Sequence, residues 1–139
     1  MLAKVATATV LGIDGYPVEV EVDLSSGLPS FDLVGLGDTA VKEAKERVRS
    51  AIKNSGFEFP AHRIVINLAP AALKKEGGGF DLPIALGILC AQGLLDQEVL
   101  SGGVATGELA LDGGIRPVRG VLSMAMAAAQ QGKKYMLIP

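Results

Sequence analysis

A glycine loop that runs directly into an apolar helix decides the fold: KKEGGGFDLPIALGILCA, residues 74–91. The three consecutive glycines at 77–79 predict a tight turn in which the backbone packs closely against its neighbours. Asp81 is placed to cap the helix that follows, and Pro83 is tolerated in its first turn. From Ile84 to Ala91 the sequence is continuously apolar. A helix that is apolar all round is a buried one, so we expect it in the middle of the domain.

The residues before this loop carry the patterns of strands. A partly alternating run covers Val5–Val10, and the valines at 18–22 alternate strictly with acidic residues, as in a half-buried strand. Between them, Asp14-Gly15 predicts a hairpin turn. A third apolar run, Phe31–Leu36, is expected to add another strand to the same antiparallel sheet.

A helix is predicted from Asp38, because apolar residues recur at helical spacing from Val41 to Ile52. Asp38 or Thr39 is expected to cap it, and Gly56 is expected to stop it. The β-branched run Arg63–Leu68 then predicts a short strand.

The last third of the chain predicts a connection at Val99–Gly103, a hairpin around Asp112–Gly114, a helix over Arg119–Gln131 and a final strand at Tyr135–Ile138. The order is several strands, helix, strand, helix, hairpin, helix, strand. This order is typical of an α+β layer of sheet and helices, and it is not that of a doubly wound nucleotide-binding fold.

Composition bounds the function. The 139 residues are 49% hydrophobic and 20% charged, which is enough to form the core of one domain. The formal net charge of −2 gives no global attraction to phosphate backbones or acidic membranes, so any nucleic-acid contact must be local. Aromatic residues make up only 4%, which argues against a dedicated binder of single-stranded nucleic acid.

Location and completeness are further expectations. No apolar run reaches the ~18 residues of a membrane span and no signal sequence opens the chain, so we expect a cytoplasmic protein without membrane contact. The single cysteine, Cys90, lies in an apolar helical run and is expected to be a buried thiol in a reducing compartment. The chain stops directly after a predicted strand, at Pro139, which suggests truncation from a longer protein.

Four stretches carry a family resemblance through their order and spacing. They are Val34-Gly35-Leu36-Gly37-Asp38, Asn67-Leu68-Ala69-Pro70, Lys75-Glu76-Gly77 with Phe80-Asp81-Leu82-Pro83-Ile84-Ala85, and Thr106-Gly107-Glu108-Leu109. Over Met1–Pro139 the chain resembles the N-terminal domain of the ComM/YifB family of magnesium-chelatase-related ATPases. The resemblance implies a Lon-protease-like fold, shared with kinases of the galactokinase class, with a mixed sheet of six or more strands and three main helices.

The resemblance also implies a longer protein. In the family this domain precedes a hexameric ATPase module of the AAA+ type, which holds ATP and Mg, and the whole is implicated in branch migration of DNA during natural transformation. We therefore expect the partners to be that module, neighbouring subunits and DNA. We expect no cofactor and no metal in residues 1–139, because no cluster of His, Cys and carboxylates has metal-ligand spacing.

The catalytic positions of Lon are degenerate in this chain. Lon proteases place a serine nucleophile in the corresponding glycine-containing loop and a catalytic lysine on a later helix. Matching the motifs puts the serine position at Gly79, or at Gly78 if the loop shifts by one, and the lysine position at Leu122. A serine–lysine dyad needs both a nucleophile and a base, so we expect no peptidase activity. Ser123 adjoins the lysine position but has no visible base.

The same glycines can instead be interpreted as a phosphate cradle at a helix start. No P-loop pattern is present, because Gly132-Lys133-Lys134 lacks the earlier glycine and the hydroxyl. Asp81 would also place negative charge where a phosphate should sit. A structural turn is the favoured interpretation of Gly77, Gly78 and Gly79, with Asp81 as helix cap.

The first helix supplies the binding candidate. A basic stripe at helical spacing is formed by Lys42, Lys45, Arg49 and Lys53. It could contact DNA phosphates or an acidic neighbouring domain, or it could be a solvated face whose charges pair with Glu43 and Glu46. Two further features of the sequence can be explained by ordinary packing or surface exposure. Met124 and Met126 are either a self-association face or core, and His62 is expected to be a surface or capping residue.

The sequence thus predicts a non-catalytic accessory domain that positions DNA, a partner or neighbouring subunits in an ATP-dependent DNA-processing protein. The alternatives are an ATP-dependent peptidase domain with an atypical nucleophile and a free-standing assembly module.

Overall fold

The computed structural model describes all residues from 1 to 139. The elements, in chain order, are β1 (Leu2–Leu11), β2 (Asp14–Ser25), β3 (Ser30–Val34), α1 (Asp38–Asn54), β4 (Arg63–Ala69), α2 (Asp81–Ala91), α3 (Gln97–Ser101), β5 (Gly103–Ala105), β6 (Glu108–Leu109), β7 (Ile115–Arg116), α4 (Val121–Gln130) and β8 (Tyr135–Leu137). None of the helices has the length and apolar character that crossing a membrane requires.

Six of the strands form one mixed sheet in the order β3-β4-β2-β1-β5-β8, and β6 and β7 form a separate hairpin. β1 pairs with β2, and β2 with β4, in antiparallel fashion, whereas β5 runs parallel to both β1 and β8. The α+β class and the mixed sheet are confirmed. The expectation of an antiparallel third strand is wrong, because β3 pairs parallel to β4. The connection between them is the crossover helix α1, which returns the chain to the same end of the sheet.

The predicted turn at Asp14-Gly15 is also misplaced. Leu11 pairs with Asp14, so the turn residues are Gly12 and Ile13, and Gly12 has a φ of +65°. Gly15 lies inside β2, where a Cβ would collide with the Ser123 carbonyl of α4. That glycine therefore serves close packing of a helix on the sheet and not the turn itself.

The core lies between one face of the sheet and two helices. Valines of β1 and β2 face α2, which is buried along nearly its whole length, and the isoleucines of β4 belong to the same apolar cluster. A Cβ at Gly87 would come within 2.5 Å of Val22, so α2 packs almost directly on the strand backbone. The predicted central helix is confirmed, and α4 covers part of the opposite face.

The helix ends differ in part from the sequence expectations. The N-cap position of α1 is Gly37, without a side-chain hydrogen bond, so neither Asp38 nor Thr39 is the cap; Asp38 lies within the first turn. The stop at Gly56 is confirmed, since it has a φ of +88° and the N–H of Phe57 donates to Ile52 O at 3.2 Å. This is the pattern of a Schellman motif.

The segment expected as a connection at Val99–Gly103 contains the short helix α3 and the start of β5. Five residues are too few to show a helical period, which is why the pattern missed it. Asp96 caps α3 by accepting from the N–H of Glu98 at 2.9 Å, and the Gln97 amide bonds both the N–H and the C=O of Lys4 on β1. The hairpin, α4 and the last strand lie where the sequence predicted them.

Candidate functional site

A cleft of about 630 Å³ opens beside the glycine loop, Gly77–Gly79. Its walls are Ala8–Gly12 at the end of β1, Glu76–Phe80, Glu108, Pro117–Gly120 and Met124. The loop that the sequence resemblance matches to the nucleophile loop of Lon thus forms one wall of this cleft.

The glycines leave little room for side chains. A Cβ at Gly79 would lie 2.9 Å from Thr106 Oγ1, and a Cβ at Gly78 would lie 2.5 Å from Glu108 Oε2. Thr106 is fully buried and its hydroxyl donates to Gly79 O at 3.3 Å, while the N–H of Gly107 donates to the same carbonyl at 3.1 Å. Gly77 has a φ of +84°, a conformation that favours glycine. The loop is thus a close backbone contact with the segment that precedes β6.

The position that corresponds to the catalytic lysine does not face this loop. The side chain of Leu122 is 76% exposed, and Leu122 is not among the residues that line the cleft. The apolar side chains of Val118 and Met124 line the cleft near this segment instead. Ser123 is also engaged elsewhere, since its Oγ donates to the carbonyl of Ile13 at 2.7 Å and ties α4 to the β1–β2 turn. No base is therefore in hydrogen-bond contact with the one serine next to the lysine position.

Asp81 has a different role from the one expected. It is the first helical residue of α2, the N-cap position is Phe80, and no side chain caps the helix. The Asp81 carboxylate, 1% exposed, accepts two hydrogen bonds from Arg47 of α1, at 2.5 and 3.2 Å, and a third from the N–H of Leu109 at 3.1 Å. Asp81 thus joins α1, α2 and β6.

Burial has the larger effect on the pKa of Asp81, and the hydrogen bond between the two side chains has the larger effect on the pKa of Arg47. Desolvation raises the pKa of Asp81 above its ordinary value, although the hydrogen bond from Arg47 acts in the opposite direction. The hydrogen bond to Asp81 raises the pKa of Arg47. Sequence reasoning did not assign Arg47 any role at this loop. The sequence signal that could have indicated this role is the position of Arg47 beside the apolar residues Ala44, Val48 and Ala51 of the amphipathic helix α1.

The start of α2 does not fit a phosphate, for a reason other than the one expected. The Asp81 charge is turned away and paired, so it is not the obstacle. The N–H of Asp81 donates to Gly78 O at 3.1 Å, that of Leu82 donates to Gly107 O at 3.0 Å, and Pro83 has no N–H. Two of the N–H groups of the first turn are thus already bonded and a third is absent, so the helix start has little capacity left to bind an anion. Glu76 and Glu108 add negative charge to the cleft.

Lys75, directly before the glycine loop, is a further residue that the sequence analysis missed. It is only 7% exposed, and its Nζ donates to Pro70 O at 2.6 Å and Leu73 O at 2.7 Å. Burial lowers the pKa of Lys75. Its ammonium group holds together the turn that follows β4, and no carboxylate accompanies it.

The basic stripe of Lys42, Lys45, Arg49 and Lys53 forms on α1, but its members differ. Lys45 Nζ lies 5.6 Å from the centroid of the Phe31 ring, and the Arg49 guanidinium lies 5.3 Å from that of Phe59. Lys42 and Lys53 are exposed. None of the four forms an ion pair; Glu43 pairs with Arg47 at 3.7 Å, and Glu46 pairs with none of them. The pairing that would have neutralised the stripe is therefore not formed.

The two methionines of α4 have opposite environments. Met124 is 6% exposed and belongs to the core, whereas Met126 is 60% exposed. His62 is exposed at the entrance of β4, as expected, and Cys90 is buried. No group of three or more His, Cys, Asp or Glu side chains is close enough together to hold a metal ion.

Comparison with known proteins gives a consistent result. Residues 20–139 match the family described as subunit ChlI of Mg-chelatase. The chain is 50% identical over 136 residues to the uncharacterized protein YifB of Escherichia coli and 50% identical over 137 residues to the competence protein ComM of Haemophilus influenzae. These alignments cover 98% and 99% of the chain but only 27% of each relative. Lon protease of Clostridioides difficile is 30% identical over 135 residues, which cover 91% of the chain and 17% of that protein.

Proposed function

Because the chain belongs to the ChlI family of magnesium-chelatase-related proteins that includes ComM and YifB, we propose that it is a non-catalytic accessory domain of a longer, ATP-dependent DNA-processing protein. The single observation that carries the proposal is the lining of the cleft beside Gly77–Gly79, which includes neither a serine nor a lysine.

Two features of the cleft support the absence of catalysis. The loop position is Gly79, whose missing side chain makes room for the buried Thr106, and the later helix directs Leu122 into solvent. A dyad mechanism needs a nucleophile within about 3 Å of a base. The polar and charged side chains that line the cleft are instead Thr9, Glu76, Glu108 and Arg119, without a serine or a lysine among them.

The remaining parts of the proposal concern the longer protein. The chain spans only 27% of the length of YifB and ComM, so a downstream AAA+ module would bind ATP and Mg and would assemble as a hexamer. The proposed role of that protein is branch migration of DNA during natural transformation; the support for it is the family resemblance, together with the similarity to a competence protein, ComM. A cytoplasmic location is part of the proposal, since the free thiol Cys90 suits a reducing compartment.

The basic stripe is the proposed contact surface for DNA or a neighbouring subunit. Four cations without ion-pair partners lie along one helix, and two of them are held in place by phenylalanine rings. Unpaired lysines and arginines at regular spacing suit a row of phosphates, where each neutralised phosphate releases counterions.

The experiment combines three measurements on the longer protein. The charge reversal K42E/K53E is compared with K4E/K134E, which makes the same charge change at exposed lysines elsewhere. We expect K42E/K53E to weaken DNA binding by roughly tenfold at physiological salt, since each lost phosphate contact removes part of the salt-dependent term, and K4E/K134E to leave it within about twofold. We expect no hydrolysis of casein or fluorogenic peptides, with or without ATP.

The outcomes separate the alternatives. ATP-stimulated peptide hydrolysis that survives removal of the nearby serine, Ser123, would establish an atypical peptidase and would overturn the accessory role. Unchanged DNA binding with loss of the hexamer in K42E/K53E, measured by light scattering, would identify an assembly module. DNA binding unchanged in both variants, with the oligomer intact, would show that the stripe is only a solvated face.

A further inference from the structure

We propose that the groove beyond the C-terminal end of α1 binds single-stranded nucleic acid, with Phe57 stacking on a base and Lys53 and His62 contacting the backbone. The groove has a volume of about 780 Å³ and is continuous with the basic stripe through Lys53. The inference rests on the proposed DNA contact of that stripe and specifies its ligand.

Aromatic residues are concentrated at this corner of the molecule. The chain has only four phenylalanines, and three of them, Phe31, Phe57 and Phe59, lie around the stripe and the groove. The Phe31 and Phe59 rings contact each other with centroids 5.3 Å apart, which fixes the base of the cluster. The low aromatic content of the whole chain therefore says little about this surface, because three of the six aromatic residues lie at this one corner.

Phe57 is the ring that is free to bind. It is 43% exposed and lies on the rim of the groove. Its position is set by the Schellman motif that ends α1, in which Gly56 reverses the chain and the N–H of Phe57 bonds back to Ile52. A ring presented on a backbone that is held at its own N–H loses little entropy when a base stacks on it.

Positive charge accompanies the ring. Lys53 supplies a positive charge on the groove wall and His62 a ring nitrogen that can form a hydrogen bond, and Glu58 is the one carboxylate among the lining residues. The Arg49 guanidinium is stacked on Phe59 at 5.3 Å, which leaves the N–H groups at its planar edge free to donate to phosphate oxygens. Ring, lysine and guanidinium are thus arranged along one path from the groove to the stripe.

The chemistry favours a single strand over a duplex. Stacking on Phe57 needs a base whose π-face is uncovered, and in a duplex both faces of each base are already stacked. The groove lining has no arginine or asparagine, and its one amide side chain, Gln92, already donates to the Glu58 carbonyl at 3.1 Å, so we expect binding that depends little on sequence. An acidic peptide is the competing ligand, and the test separates the two.

The test measures fluorescence anisotropy with a fluorescein-labelled oligo(dT) and a labelled duplex of the same length, using the 139-residue chain. Stacking of one base is worth ~1–3 kcal/mol by alanine substitution, so Phe57→Ala should weaken oligo(dT) binding by roughly tenfold. Phe57→Tyr should retain the affinity, because it keeps the ring. Leu28→Ala, at a side chain that is 88% exposed elsewhere, is the matched control and should change nothing.

Two further variants keep the result interpretable. Phe57→Leu preserves apolar bulk without a π-face and should also weaken binding, so a folding defect in Phe57→Ala does not decide the outcome. Lys53→Gln should lower the slope of log K against log salt by about 0.7, the value for one phosphate of a single strand. Lys134→Gln should leave that slope unchanged.

Three results would overturn the proposal. These are equal affinity of all Phe57 variants, tighter binding of the duplex than of oligo(dT), and displacement of the DNA by a poly-glutamate peptide at charge-equivalent concentration. If Phe57 has no effect while K42E/K53E weakens DNA binding, the groove is refuted and the accessory function stands. If neither change has an effect, the groove is refuted and the stripe loses its proposed role as well.

Discussion

Replacing Arg47 by methionine tests the link between the first helix and the glycine loop. The change keeps the length of the side chain but leaves the Asp81 carboxylate, which is 1% exposed, with the N–H of Leu109 as its remaining partner. Removing one member of a buried ion pair costs roughly 3–5 kcal/mol. We expect about 3 kcal/mol, at the low end of that range, because Arg47 is itself 23% exposed and the Leu109 bond persists.

The loss should depend on pH. Burial already raises the pKa of Asp81, and removing Arg47 raises that pKa further, because the hydrogen bond from Arg47 lowers it. A carboxyl whose folded pKa lies above its unfolded value binds its proton more tightly in the native state. Stability is then fully present below the unfolded pKa of about 3.9 and falls as the pH rises through the folded pKa. The deficit of R47M should therefore be largest at pH 7 and smallest near pH 4.

Urea and thermal denaturation at pH 7 and at pH 4 measure both effects. At pH 7 a loss of 3 kcal/mol corresponds to a fall in Tm of about 10 °C for a domain of this size. R47M/D81N supplies the control, because a neutral amide removes the buried charge and should recover at least ~1 kcal/mol. A loss below ~1 kcal/mol at pH 7, or a loss that is the same at both pH values and is not reduced by D81N, would refute the account of this ion pair.

Two other predictions concern the residues around the cleft. G79S/L122K restores both side chains of a Lon-type dyad. We expect no hydrolysis of fluorogenic peptides, because position 122 points into solvent, and a stability loss of about 1–3 kcal/mol in urea, because a Cβ at Gly79 meets Thr106. Measurable turnover would show that the cleft can still assemble a dyad. K75M should change the pH dependence of the free energy of unfolding. Burial lowers the pKa of Lys75, so the native state releases this proton more readily than the unfolded state. The wild type should therefore gain stability relative to K75M as the pH rises towards the ordinary lysine pKa of about 10.4. A difference between the two denaturation curves that stays constant from pH 7 to 10 would contradict this.

Several parts of the fold could be predicted because their causes are local. The continuous apolar run Ile84–Ala91 required burial on all sides, and α2 is the central helix. The period of two in β2 and the period of 3.6 in α1 each record which side of one element faces the core. Gly56 stopped α1 because a residue just past the last turn needs a positive φ.

The errors have a common origin in contacts between elements. Asp14-Gly15 has the composition of a turn, but α4 requires Gly15 in the strand, and no pattern within β2 reveals the approach of a helix 108 residues later. Asp81 has the identity and position of a helix cap, yet its carboxylate binds Arg47, 34 residues away. β3 has the pattern of any half-buried strand, and its direction was decided by the crossover through α1.

Residue patterns alone establish the class of fold, the central helix, the family and the absence of serine and lysine at Gly79 and Leu122. What replaces that serine and lysine emerges from packing: the fit of Thr106 against the glycine loop, the ion pair that ties Asp81 to α1, and the position of three phenylalanines beside the basic stripe. Residue type and period report the interactions of a side chain with its near neighbours along the chain. Contacts between residues far apart in sequence arise only when the sheet and helices pack, because the packing fixes which surfaces meet and in what register.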